Sequence, residues 1–193
     1  MLASERLSIR PYHRDDDPFI AALAHEAFDE YTPYAVPHTL GMVRRCTTLV
    51  ALRERVPRAA GAVAVRARGS AEPPSERASD PPPRVAEGAS AARPVARERV
   101  GFAAISDEGE GVLMLNAIAV LRGERGRGIG HYLMQAFERF GRVRGARRLE
   151  LCTADYNLAA LELFFRHGFR LLRRRERFYD RGQDACVLVK DLR

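Results

Sequence analysis

Polar and apolar residues alternate along Leu7-Ser8-Ile9-Arg10-Pro11, the period-2 pattern of a short half-buried strand. The period then changes. Asp15-Asp16-Asp17-Pro18 puts acids and a proline where helices begin, and Phe19, Leu23 and Ala27 recur on one helical face. Thr32-Pro33-Tyr34 and Val36-Pro37 predict a break, Thr39 to Arg45 a second short helix, and Thr47 to Leu52 a strand.

Strand character returns at Arg99 to Ile105, and Asp107-Glu108-Gly109-Glu110-Gly111 reads as a turn before a second apolar run, Val112 to Val120. Leu133, Phe137 and Phe140 then fall at i, i+4 and i+7, the stripe of a helix starting near His131 and ended by Gly141 or Gly145. Leu149 to Thr153 reads as a buried strand. Asn157 to His167 reads as a helix with Leu161, Phe164 and Phe165 inward and Gly168 as its cap. Phe169 to Phe178 and Ala185 to Leu192 form a closing strand pair around Asp180-Arg181-Gly182. The pattern predicts a mixed α/β sheet with helices on its faces.

Residues 57–97 differ from the rest. Ala, Pro, Ser, Glu and Arg dominate, with Pro73-Pro74 and Pro81-Pro82-Pro83, too little apolar surface to offset the entropy of ordering. The expectation is one domain over 5–192 carrying a disordered insertion at 57–97, placed at a hairpin tip where loop-closure cost grows slowly. Gly61-Ala62-Val63-Ala64-Val65 could add a short strand to it.

The length, 193 residues, suits one domain with a substantial core, and 46% hydrophobic with 30% charged residues is ordinary for a soluble chain. A net charge of +7 raises nucleic acid as a partner. Yet Lys190 is the only lysine among 32 basic residues. An arginine skew with abundant Ala, Gly and Pro reads as a GC-rich coding sequence, and Arg173-Arg174-Arg175-Glu176-Arg177 as a solvated strand edge. No apolar run reaches membrane-spanning length and the N-terminus lacks a signal-peptide core, so a cytoplasmic protein without membrane partners is expected. Cys46, Cys152 and Cys186 are spaced neither for metal nor for a disulfide framework.

The most specific chemistry lies in Leu121-Arg122-Gly123-Glu124-Arg125-Gly126-Arg127-Gly128-Ile129-Gly130, between the Val112–Val120 run and the following helix. Strand, glycine turn, helix builds an anion site from backbone N–H groups and the positive end of a helix dipole. The run ends Gly128-Ile129-Gly130-His131, without the Gly-Lys-Ser/Thr of a P-loop. Gly126-Arg127-Gly128-Ile129-Gly130 is G-x-G-x-G, one residue short of a dinucleotide fingerprint. Arg125 to Gly130 does match R/Q-x-x-G-x-G/A, and so resembles the acetyl-coenzyme A signature of the GCN5-related N-acetyltransferases. Ala117 to Val120 resembles that family's strand into the loop. Asn157 to Phe169 resembles its N-x-x-A-x-x-L-Y-x-x-x-G-F helix, and Phe178 to Ala185 its closing hairpin in members that acetylate protein amines.

The resemblance implies a mostly antiparallel mixed sheet with helices on both faces and a splay between its two central parallel strands. It implies acetyl-CoA as co-substrate. Arg125, Gly126, Arg127, Gly128, Ile129 and Gly130 would cradle the pyrophosphate, Ile118 and Val120 would pair with the pantetheine arm, and Asn157 would hydrogen-bond the cofactor while also suiting a helix N-cap. The expected reaction is direct attack of a primary amine (a protein N-terminus, a lysine or a small amine) on the thioester. Phe164 stands where the family often carries a tyrosine acid. Tyr156 is the candidate substitute, and Asn116 a candidate to hold an ordered water where some members carry a glutamate. Glu26, Glu30 and Tyr31 lie where the family builds its acceptor site. With no evident base, an α-amine or another low-pKa amine is favoured, since neutralising an α-amine at pH 7 costs about 1 kcal/mol against roughly 4.6 for lysine. The alternatives are an acyl-CoA-binding regulatory module with little or no turnover and, on charge alone, a nucleic-acid binder. A homodimer is left open.

Overall fold

A computed structural model describes residues 4–56 and 96–192. The proposed strand at Gly61–Val65 and residues 57–95 of the predicted insertion lie outside the described residues. Among the described residues seven strands form one sheet in the order β1-β2-β3-β4-β5-β7-β6: β1 Ser4–Pro11, β2 Thr47–Val56, β3 Ala96–Gly109, β4 Val112–Val120, β5 Arg148–Ala154, β6 Arg170–Arg175 and β7 Ala185–Asp191. Every neighbouring pair is antiparallel except β4 and β5. Four α-helices among the described residues cover it: α1 Asp17–Phe28, α2 Ala35–Val43, α3 Ile129–Val143 and α4 Leu158–Arg166.

The helices divide between two cores. Leu133, Met134 and Phe137 of α3 and Phe164 of α4 pack with Ala103, Ile105, Leu113, Leu115, Leu149 and Leu151 on one face. Ile20 and Leu23 of α1 and Val43 of α2 pack with Phe102, Ala104, Ala117 and Ala119 on the other. Burying each of the larger side chains contributes roughly 1.5–3 kcal/mol.

A break in strand alternation makes this division possible. Leu113 and Leu115 face the α3 side, whereas Ala117 and Ala119, of the same parity, face the α1 side. The register supplies the cause: Ala104 pairs with Ala117 but Ile105 pairs with Leu115, so Asn116 is the extra residue of a β-bulge. One extra residue exchanges the faces of everything beyond it.

Asp16 roots α1 in the sheet. It is fully buried and accepts two hydrogen bonds from Arg10 of β1 at 2.7 Å, one from Arg99 Nε of β3 at 2.5 Å and one from the His13 amide at 2.8 Å. Burial opposes its ionisation, but these donors outweigh burial and hold its carboxyl well below the usual range.

Several boundaries differ from expectation. Pro37 does not break the chain but sits in the first turn of α2, where a missing N–H interrupts no helical bond. Gly141 lies inside α3, at a position where a Cβ would meet Leu149 Cδ2 at 2.8 Å and Leu192 Cδ1 at 3.0 Å; Gly145, with φ 68°, follows the helix end. Phe165 is half exposed, since the inward face of α4 centres on Phe164. Residues 96 and 97 belong to β3 rather than to the insertion, because the ladder with β2 continues through Glu54↔Arg97 and Arg55↔Ala96, with an Arg97–Glu54 ion pair at 2.8 Å.

Candidate active site

The two parallel strands pair only at their starts, Val112–Leu115 against Arg148–Leu151. Beyond this the strands are no longer paired, although β4 runs on to Val120 and β5 to Ala154. A cleft of ≈ 800 Å³ opens at the splay, bordered by Asn116–Val120, Leu151–Thr153 and the glycine turn. Leu121 N–H donates to Val100 O at 3.0 Å, so antiparallel alternation turns the backbone groups of Ala117 and Ala119 towards β3. Those of Ile118 and Val120 face the cleft. Arg125 Nε takes the Val120 carbonyl from that side at 3.1 Å.

The turn works through backbone conformation. Gly126 and Gly128 have φ of 75° and 80°, in the left-handed region that disfavours side chains. Tyr132 N–H to Gly128 O, at 2.9 Å, is the bond that opens the α3 ladder. The preceding amides of Ile129, Gly130 and His131 therefore have no intrahelical acceptor and emerge at the positive end of the helix. Gly130 lets α4 approach: a Cβ there would lie 3.3 Å from Leu163. Side chains also anchor the turn. Glu26 of α1 accepts from the Arg122 amide at 3.1 Å and lies 3.5 Å from Arg125. Arg53, buried on β2, pairs with Glu124 and with Glu98.

The other rim is assembled from distant segments. The segment after α1 is stapled to the β6–β7 loop by Thr32 Oγ1 to Asp180 (2.5 Å), Gln183 Nε2 to the Glu30 carbonyl (2.6 Å) and the Arg181 amide to the Tyr31 carbonyl (3.3 Å). Tyr31 stacks at 6.2 Å on Tyr156 and lies 4.9 Å from Tyr179. Burial, with the neighbouring carboxylate of Glu30, pushes the Tyr31 phenol far above its ordinary value, and burial does the same to Tyr179. Asn157 caps α4 by accepting the Ala160 amide at 3.2 Å and donates Nδ2 to Tyr31 Oη at 3.3 Å.

A family model described as Acetyltransferase (GNAT) family matches residues 68–169, more than half of the chain. The chain belongs to the GNAT acetyltransferase family. No curated protein matches the sequence. Among solved structures, the IAA acetyltransferase from Bacillus cereus ATCC 14579 is similar at 16% identity and TM-score 0.63, over 97% of this chain and 100% of that one. The ribosomal-protein-S18-alanine N-acetyltransferase from Escherichia coli is similar at 16% identity and TM-score 0.63, over 96% and 94%. A chain of the NatC complex bound to Gag peptide and CoA is similar at 18% identity and TM-score 0.62, over 97% and 99%. At such identities these likenesses establish the GNAT fold, including the splay and the helices on both faces.

Acetyl-CoA is the co-substrate of the GNAT family. The chain's features fit it: left-handed glycines, free amides at the start of α3 and an unpaired strand edge leading to them. Of the residues singled out in the sequence, Ile118, Val120, Arg125, Gly126, Gly128, Ile129, Gly130, Asn157 and Asn116 all border the cleft. Arg127 does not; it lies 3.8 Å from Glu124. Tyr156 is half exposed and also outside the cleft lining, its ring resting on Tyr31. Asn116 donates to Ser106 Oγ at 2.7 Å, across the bulge. Phe164 is buried against Phe169. Tyr179 also borders the cleft, and the sequence marks it only through its place in the closing hairpin. No helix among the described residues is long and apolar enough to cross a membrane.

Proposed function

We propose that this chain transfers the acetyl group of acetyl-CoA to a primary amine by direct attack on the thioester, as a single domain over residues 5–192 with 57–95 inserted. The observation that carries this reading is the splay. One backbone edge with no partner strand, at Ile118 and Val120, leads directly into the left-handed glycines and open amides of Gly126–Gly130. In this reading Arg125, Gly126, Arg127, Gly128, Ile129 and Gly130 hold the pyrophosphate, Arg127 through its backbone. The Ile118 and Val120 edge pairs with the pantetheine arm and offers an N–H to the thioester oxygen as it gains charge. Asn157 contributes to the same arm.

The acceptor enters between Tyr31, Tyr179 and Glu30. With their phenols pushed up, Tyr31 and Tyr179 stay protonated at physiological pH. They serve as hydrogen-bond donors that orient the amine or receive the departing thiolate, not as bases. Asn116 holds a water beside the bulge, and Tyr156 supports Tyr31. With no base built in, an acceptor that is partly neutral on its own is favoured. The difference between about 1 and roughly 4.6 kcal/mol selects an α-amine over lysine.

The test is thiol release from acetyl-CoA in the presence of peptides that offer either a free N-terminus or only lysine. Release with the α-amine peptide, and modification there, supports the reading. Efficient turnover of lysine alone overturns the α-amine preference. The buried Phe164, which carries no proton, favours one other reading: a regulatory module that binds acyl-CoA without turnover. Acetyl-CoA binding with no thiol release across an amine panel would select it.

A further inference from the structure

Beside the glycine turn runs a line of side chains that the proposed transfer does not use. His131, exposed on the first turn of α3, borders the cleft. Its Nδ1 lies 2.7 Å from Nε2 of His167, just past α4, and His167 Nδ1 lies 2.6 Å from Glu138 Oε1. Lys190 of β7 pairs with Glu138 Oε2 at 2.8 Å and donates to the His167 carbonyl at 2.6 Å. At the outer end, His131 Nε2 is 3.0 Å from Gln135 Nε2. His167 and Glu138 are 7% and 8% exposed, so the line runs from the cleft into the core.

The protons along it have one self-consistent order. Burial works against ionisation of Glu138, but Lys190 and His167 outweigh it, and its carboxyl lies below the usual range. As a carboxylate it only accepts, so His167 Nδ1 donates. His167 Nε2 then accepts from His131 Nδ1, and His131 Nε2 accepts from the Gln135 amide. Both imidazoles are neutral in this order. Lys190 offsets Glu138, and Arg142 stands 3.6 Å from Glu138 on α3. On α4, Arg166 pairs with Glu162 at 2.6 Å, and the turn brings Arg125 and Glu124 to the same cleft. A further proton enters from solvent at His131 Nε2, which can then no longer accept from the Gln135 amide, and the new Nε2–H is left to donate to an anion. The His131–His167 bond then shares it between the two rings.

We propose that His131 is an anion-binding residue of the cleft, and that its line to His167 and Glu138 lets the pair take up a proton when a diphosphate occupies the start of α3. The inference rests on acetyl-CoA using this cleft. The positive end of α3 alone disfavours a cation on its first turn; a bound anion reverses that balance. By linkage, protonation tightens binding as much as binding favours protonation, so affinity rises as pH falls.

The experiment is calorimetric titration of the full chain with dephospho-CoA at about pH 6.5, in buffers of different ionisation heat. Dephospho-CoA is the probe because it lacks the phosphate monoester of CoA, which itself titrates at about 6. The wild-type chain takes up a fraction of a proton on binding. His131→Gln still binds but takes up none, and its affinity falls about 5-fold at acid pH, with the difference closing at alkaline pH. His167→Gln loses most of the uptake as well. Uptake that persists in His131→Gln, or wild-type binding without uptake, overturns the relay and leaves the proposed function standing. Failure of the folded chain to bind acetyl-CoA removes both.

Discussion

The two sides of the cleft are built from different materials. The side proposed to hold acetyl-CoA is backbone: the Ile118–Val120 edge, two left-handed glycines and the first amides of α3, contiguous within 118–131. The rim proposed to receive the acceptor is side chains, with Tyr31 and Tyr179 brought together from separated segments. A backbone site is fixed by conformations that few residue types adopt. A side-chain site is fixed by contacts that any sequence distance can supply. The first should tolerate side-chain changes but not changes at glycine, and the second should do the opposite.

The largest expected effect concerns the root of the acceptor-side helix. Asp16→Ala leaves Arg10 and Arg99 without their buried partner and should cost about 4 kcal/mol at pH 7 in a denaturant titration. The folded-state pKa of Asp16 is depressed, so its stabilisation is complete above the unfolded value of about 3.9 and is lost as pH falls below it. The gap between wild type and Asp16→Ala should therefore shrink in acid. A gap that is constant with pH would mean that the carboxylate's charge is not what anchors α1.

Next comes the donor side. Gly126→Val with Gly128→Val forces β-branched residues to positive φ and should weaken acetyl-CoA by about 100-fold, or about 2.7 kcal/mol. Affinity within a few-fold of wild type would break the contrast, since it would place recognition in side chains after all. On the acceptor side, Tyr31→Phe and Tyr179→Phe should each lower kcat/KM for an α-amine peptide by about 10-fold while leaving acetyl-CoA affinity nearly unchanged. The smallest effect is expected at Tyr156→Phe, whose half-exposed ring rests on Tyr31. It should alter kcat/KM by less than about 3-fold, and a larger loss would return it to the reacting centre.

The same contrast explains what could be read in the sequence. Glycine spacing states a backbone conformation directly, so Gly126 and Gly128 announced the turn. The apolar period of Val112–Val120 announced β4. The bulge at Asn116 was hidden because an extra residue leaves no compositional mark; it appears only when Leu115 and Ala117 prove to face opposite cores. Tyr179 could not be distinguished from any loop tyrosine, because its meaning comes from Tyr31, across the Thr32–Asp180 staple. Pro37 misled for a related reason: proline is permitted in a first helical turn, and only the helix start shows which turn it occupies.

The most direct test of the account is a steady-state thiol-release assay with acetyl-CoA and two peptides of one sequence. One has a free N-terminus and no lysine; the other has a blocked N-terminus and one lysine. The account predicts thiol release with the first peptide, with one acetyl group gained at its N-terminus by mass spectrometry, and far slower release with the second. Acetyl-CoA that binds but releases no thiol with either peptide, or with any member of a small-amine panel, would contradict it.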